Sequence, residues 1–162
     1  AKMIPQSDLG EVIFKTEETS YKGTPAYNIS AVARTLPMYR WVFDMEDSYM
    51  STLERRTLRP LASQVRIKEG KHRRRSDFTY DWDNGTVTSV FRNLNWKQDS
   101  TRTMKVQEGT MDVLSLFYEM RTQDLANFKV GQTRTVEIVS DRRIKPYKYR
   151  LVAREDLSLI HT

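Results

Sequence analysis

The chain has 162 residues, no cysteine, and 27 basic against 21 acidic side chains, a formal net charge of +6. That length predicts a single domain over 1–162, and 38% hydrophobic against 30% charged residues predicts a lean core, as in a half-buried sheet. Disulfides, thiol nucleophiles and cysteine metal sites are excluded, and no apolar run approaches the roughly 20 residues of a membrane-spanning helix.

Ala1-Lys2-Met3 opens the chain without an apolar signal segment, so any leader has been removed or the sequence begins inside a longer protein. Residues 11–18 (EVIFKTEE) read as a strand, followed by a turn at 21–25. In 26–35, Tyr27, Ile29, Ala31 and Ala33 share one face by the period of two. Pro37 punctuates. Residues 40–50 (RWVFDMEDSYM) read either as a strand with a bulge or as a short helix leading into a strand. Residues 51–60 read as a strand end and a connection stopped by Pro60. In 61–69, Val65 and Ile67 oppose Gln64, Arg66 and Lys68, and Gly70 permits a turn.

Residues 74–82 are the clearest strand, because Phe78, Tyr80 and Trp82 alternate with Asp77, Thr79 and Asp81. Asp83-Asn84-Gly85 suits a tight hairpin with positive φ, and 86–92 returns antiparallel. The period changes at 110–122 (TMDVLSLFYEMRT), where Met111, Leu114, Phe117 and Tyr118 recur at helical spacing and Val113, Leu116 and Met120 widen the apolar face. Thr110 is the expected cap, with Asp112 near the positive end of the helix dipole, and the helix is expected to be largely buried. Two further strands are read at 132–139 and 145–154, joined across 140–143. Six to eight strands with one late helix at about 110–122 predict a mostly β fold, a strongly curved antiparallel sheet or incomplete barrel.

Two constellations invite a functional reading. The basic run Lys71-His72-Arg73-Arg74-Arg75 resembles an anion-contact patch. Strand parity, however, puts Lys71, Arg73 and Arg75 beside Asp77 and Asp81 on an outer face, which reads first as solvated and charge-paired. His72 and Arg74 then continue the aromatic face. Phe78, Tyr80 and Trp82, with Trp41 and Trp96 elsewhere, read first as core and secondly as the lining of a cavity; in a half-barrel the two coincide.

Catalytic signals are weak. Asp44, Glu46 and Asp47 cluster without a nucleophile, His72 and His161 are the only histidines, and the six glycines are scattered at turns. No catalytic residue, metal ligand or cofactor is assigned.

The succession Glu11-Val12 to Phe14, Gly23-Thr24-Pro25-Ala26-Tyr27, Asp47-Ser48-Tyr49 to Leu58-Arg59-Pro60, Lys68-Glu69-Gly70, Phe78 to Tyr80-Asp81, and Asp112-Val113-Leu114-Ser115 to Tyr118 to Arg121 resembles the domain-of-unknown-function 3108 family over about residues 9–155. These are exported or lipid-anchored envelope proteins of Gram-negative bacteria. The resemblance implies a half-open antiparallel barrel, distantly similar to the periplasmic lipoprotein-carrier fold, in a periplasmic or other envelope location, with no established activity to carry over. The family typically has further strands before the position of Leu9 and after that of Glu155, so a fragment or a shortened member is expected here.

The expectation for function is therefore a non-enzymatic exported protein binding an apolar or amphipathic, lipid-like ligand on its concave face through Trp41, Arg74, Phe78, Tyr80 and Trp82. The alternative is an interaction module for an envelope partner protein or anionic polymer through Lys71, Arg73 and Arg75. Mixed charge along the chain weighs against nucleic acid.

Overall fold

The computed structural model describes residues 9–95, 97–122 and 127–154. The readings made above for residues 1–8, Trp96 and 155–162 lie outside the described residues. Strands β1 (Gly10–Tyr21), β2 (Thr24–Thr35), β3 (Glu46–Glu54), β4 (Pro60–Glu69), β5 (His72–Asp81), β6 (Thr86–Asn93) and β7 (Gln98–Lys105) form one antiparallel sheet in sequence order. Helix α1 (Val113–Thr122) follows, then β8 (Thr133–Ser140) and β9 (Arg143–Arg150), which pair only with each other as a strand ladder. The large sheet does not close into a barrel; β1 and β7 are its edges.

Alternation dictates which face is covered. The register aligns Phe14, Ala31, Tyr49, Val65, Ser76 and Phe91 in one cross-strand row, and Thr16, Ile29, Ser51, Ser63, Phe78 and Ser89 in the next. Both rows belong to the concave face, because directly paired residues point the same way. Two apolar clusters cover it. Ile29, Ala31, Leu53 and Leu114 join Phe14, Tyr27 and Tyr118 under α1. Phe78, Tyr80, Val87, Val106 and Val139 join Trp82, Met104 and Ile144 under the β8–β9 hairpin.

Several boundaries differ from expectation. α1 begins at Val113, not Thr110, and only Leu114 and Ser115 are fully buried on it. Its single inward stripe stacks Phe117 on Phe14 at 4.8 Å and joins the hydroxyls of Tyr118 and Thr16, while Val113 and Met120 face outward. Residues 40–50 are neither alternative alone: a 3₁₀ turn at Pro37–Tyr39 leads through a connection into β3. Pro60 stops the 55–59 connection and is itself the first residue of β4. The first residue of a strand needs no ladder donor there, and the register shift between Thr52 and Leu53 absorbs the kink. The β5–β6 connection has four residues, Trp82 to Gly85, with only Gly85 at positive φ. β7 (QDSTRTMK) was not foreseen, since Met104 is its only apolar residue.

Burial separates the aromatic residues into two groups with opposite energetic roles: Phe78 is 3% exposed and Trp41 is 86% exposed. Phe78→Ala is expected to destabilise the chain by about 3–5 kcal/mol through lost transfer energy and a residual cavity. Trp41→Ala should stay within about 0.5 kcal/mol of the parent. Urea denaturation of the two variants checks both values.

Candidate functional site

Four serines sit buried on the concave face: Ser51, Ser63, Ser76 and Ser89. Their small side chains leave room for the elements that cross the sheet, and their hydroxyls need partners. Two aspartates from the C-terminal half supply them for Ser51, Ser76 and Ser89. The Ser51 hydroxyl donates to Asp112 Oδ2 at 2.5 Å. The Ser76 hydroxyl donates to Asp141 Oδ1 at 3.1 Å, and that of Ser89 to the Asp141 carbonyl at 2.5 Å.

Asp112 is also the N-cap of α1, a role expected of Thr110. The Ser115 amide donates to Asp112 Oδ1 at 2.7 Å, and the Asp112 amide returns a bond to Ser115 Oγ at 2.8 Å, a reciprocal capping box. Thr110 instead closes the preceding turn, accepting from the Gln107 amide and donating to Glu137. Burial pushes the Asp112 carboxyl up, and the bonds from Ser51 and Ser115 offset part of that shift. Asp141 occupies the tip of the β8–β9 hairpin at φ +50°, a conformation aspartate tolerates better than most residues.

The expected ligand-binding residues do not converge. Phe78 and Tyr80 (7% exposed) are core residues beneath the hairpin. Arg74 faces inward as parity predicted, but its Nη1 pairs with Asp141 Oδ2 at 2.5 Å. Trp82 lies past the far end of β5, whereas Trp41 lies in the β2–β3 connection at the opposite end of the sheet. The concave face is thus occupied by the chain's own α1 and hairpin. Of the outer basic residues, Arg75 holds Asp77 through two donors, and Arg92 shares the same carboxylate. These contacts keep the Asp77 carboxyl low despite its burial. Lys71 and Arg73 are exposed and have no carboxylate within ion-pair distance among the described residues.

Room for a ligand remains beside Trp82. A cavity of about 610 Å³ opens between the β3–β4 connection (Leu58, Arg59), the β5–β6 turn (Trp82, Gly85), the 106–111 segment and the α1 face bearing Ser115 and Glu119. The indole is held in place: its Nε1 donates to the Pro60 carbonyl at 2.7 Å, Tyr80 stacks on it at 5.7 Å, and the Arg59 guanidinium lies 5.5 Å above the ring. Leu58 lines the cavity at φ +59°, which costs a branched residue roughly 1–2 kcal/mol. Behind the cavity, the Tyr80 and Ser63 hydroxyls are buried close to each other, with Ser63 also beside Asp112. Burial, and next the charge of Asp112, push the Tyr80 hydroxyl well up. Glu119, on the helix side, is pushed up by burial against the opposing field of Arg134.

A family model described as a protein of unknown function, DUF3108, matches residues 6–161, nearly the whole chain. The chain belongs to the DUF3108 family. No curated protein and no solved structure matches it. In this DUF3108 chain the three clustered carboxylates are split by the sheet. Asp44 bonds Lys68 at 3.0 Å, which holds its carboxyl low. Asp47 is buried on the inner side, where burial raises its carboxyl and the Lys68 amide donates to it at 3.1 Å. Glu46 faces the opposite side, exposed. No group of three potential ligands among the described residues is placed to hold a metal ion, and no helix among them is long and apolar enough to cross a membrane.

Sequence reasoning missed Asp141, the serine rows and the cavity rim. Parity alone could have placed Ser51, Ser63, Ser76 and Ser89 on the apolar face, and polar residues at core positions are the usual sign of a buried bond.

Asp112 gives a pH test. Its pKa is higher folded than unfolded, so the folded state is favoured while the carboxyl is protonated. That advantage is lost as pH rises from the unfolded value of about 3.9 through the folded one. Asp112→Asn caps equally well and does not titrate, so it should gain stability relative to the parent across that window and keep the gain above it. Asp112→Ala loses the cap and orphans Ser51, at a cost of about 1–3 kcal/mol. Urea midpoints from acid to neutral pH decide; an Asn variant as weak as the Ala variant at pH 7 would show that the charge itself is required.

Proposed function

We propose that the chain is a non-enzymatic, exported envelope protein that binds a compact amphipathic, lipid-like molecule in the cavity beside Trp82. The cavity itself carries the reading: about 610 Å³ is the size of a small-molecule site, and an apolar wall of Leu58, Trp82, Val106 and Met111 faces polar groups at Arg59, Glu108 and Glu119. A rigid aromatic surface with few polar contacts suits a ligand with an apolar body and a polar end. Because α1 and β8–β9 occupy the concave face, the ligand is the size of a ring system or a short chain, not a long acyl tail laid along the strands. The strained Leu58 backbone at the rim supports the same place, since such conformations gather at binding sites. The envelope location rests on the sequence resemblance alone.

Native mass spectrometry of the purified chain and titration with the apolar fluorophore N-phenylnaphthylamine test the reading. Thr122→Trp, which fills the cavity from an exposed helix position, should reduce probe affinity at least tenfold without disturbing the core. Trp82→Ala should also reduce probe affinity at least tenfold. Phe43→Ala, at the other end of the sheet, should leave affinity unchanged. No co-purified small molecule together with no probe uptake rejects the ligand. Fractionation of cells expressing the native gene tests the location, and a cytoplasmic product rejects it.

A further inference from the structure

The two ends of the sheet differ sharply. At the end carrying the β2–β3, β4–β5 and β6–β7 connections, large apolar side chains stand in water: Met38 67%, Trp41 86%, Val42 66% and Phe43 52% exposed. Leu9 and Leu94 are exposed at the same end. The connections are braced against each other. The Gly70 amide donates to the Asp44 carbonyl at 2.8 Å, the Leu94 amide to the Arg73 carbonyl at 2.9 Å, and the Asn95 side chain bonds both Lys71 and Arg73 backbone groups. Beneath the tip, Leu9, Tyr39, Val42, Phe43 and Met45 line an apolar concavity of about 310 Å³.

Cations ring this tip. Arg40, Lys71, Arg73 and Lys97 carry no carboxylate within ion-pair distance among the described residues, while Lys68 and Arg74 are neutralised by Asp44 and Asp141. Glu46, Glu69 and Asp99 are exposed acids nearby, and Asp99 is paired with Arg92. The end therefore keeps a positive surplus around an apolar point.

We propose that this end docks on an anionic lipid surface, with Trp41, Val42 and Phe43 entering the headgroup and acyl boundary and Lys71, Arg73 and Arg40 resting on the phosphates. Tryptophan, phenylalanine and methionine at a loop tip bury area there, and basic side chains at the same level add electrostatic attraction. A protein partner fits less well, because a stable protein interface takes roughly 20–30 residues from each side, more than the ten-residue connection 36–45 presents. The site is independent of the Trp82 cavity, at the opposite end of the strands.

Flotation of the purified chain with vesicles of phosphatidylcholine and phosphatidylglycerol, against phosphatidylcholine alone, tests the proposal. The chain should float with the anionic vesicles and lose binding as salt rises, since screening shortens to about 3 Å at 1 M. Trp41→Ala combined with Phe43→Ala should reduce partitioning at least tenfold with unchanged thermal unfolding. Lys71→Glu combined with Arg73→Glu should reduce it by more than roughly 25-fold, about fivefold for each cation lost. A blue shift of tryptophan emission on the vesicles should vanish in Trp41→Phe. Equal binding to uncharged vesicles, or binding unaffected by the Trp41 and Phe43 changes, overturns the proposal. So does a self-association in ultracentrifugation that those changes abolish while vesicle binding persists; this result would assign the tip to a second copy of the chain. Probe uptake in the Trp82 cavity should be unchanged in all these variants.

Discussion

Everything in this structure depends on two aspartates meeting a face of serines. A seven-stranded open sheet has one apolar face and no second sheet of its own length to cover it. The chain covers that face with a ten-residue helix and a short hairpin, each too small to dock by apolar area alone. Asp112 and Asp141 make the docking directional. The Asp112 carboxylate would be costly to bury without donors, and each serine hydroxyl would be costly to bury without a partner, about 1–3 kcal/mol apiece. Neither set is stable on that face alone; together they specify where α1 begins and where the β8–β9 tip comes to rest.

That clamp also determines what space is left. With α1 over β1–β3 and the hairpin over β5 and β6, the middle of the concave face is filled by the two apolar clusters. The open volume beside Trp82 lies where the covering elements stop. At the Trp82 end, the 106–111 segment crosses from β7 to the helix and leaves a gap beneath it. At the other end nothing covers the long β2–β3 connection, and its apolar residues stand in solvent. A single packing arrangement thus produces both surfaces of interest and keeps them a strand length apart.

How much of this could be read from residues alone follows from how local each signal is. Alternation in β2, β4 and β5 is a property of neighbouring residues, so Ile29, Ile67, Phe78 and the inward turn of Arg74 were legible. β7 was not, because an edge strand with one face in water needs little apolar content; Thr101 and Thr103 carry the β-propensity that its composition otherwise hides. The helix was legible by period, but its start was not. Thr110 and Asp112 are both good caps by residue type; the reciprocal bonds with Ser115 and the position of Ser51, 61 residues away in sequence, favour Asp112. The same distance hid the fate of Arg74, whose carboxylate lies 67 residues away. Trp41 was grouped with Trp82 by residue type, yet they lie at opposite ends of the sheet, which composition cannot reveal. The serines were the missed opportunity: parity already put them inside.

Asp112 shows why a perturbed carboxylate does not by itself mark chemistry. A fully buried acid with a raised pKa beside a cavity is the pattern that usually suggests a general acid. Here one oxygen accepts from Ser51 and the other from the Ser115 amide, so both face protein donors. The cavity wall at that point is formed by Ser115, not Asp112. A group that must exchange protons with a ligand needs an oxygen reaching it, whereas a group that must hold a helix against a sheet needs both oxygens satisfied internally. The geometry meets the second requirement, and the shifted pKa is the electrostatic cost of placing the clamp in the core.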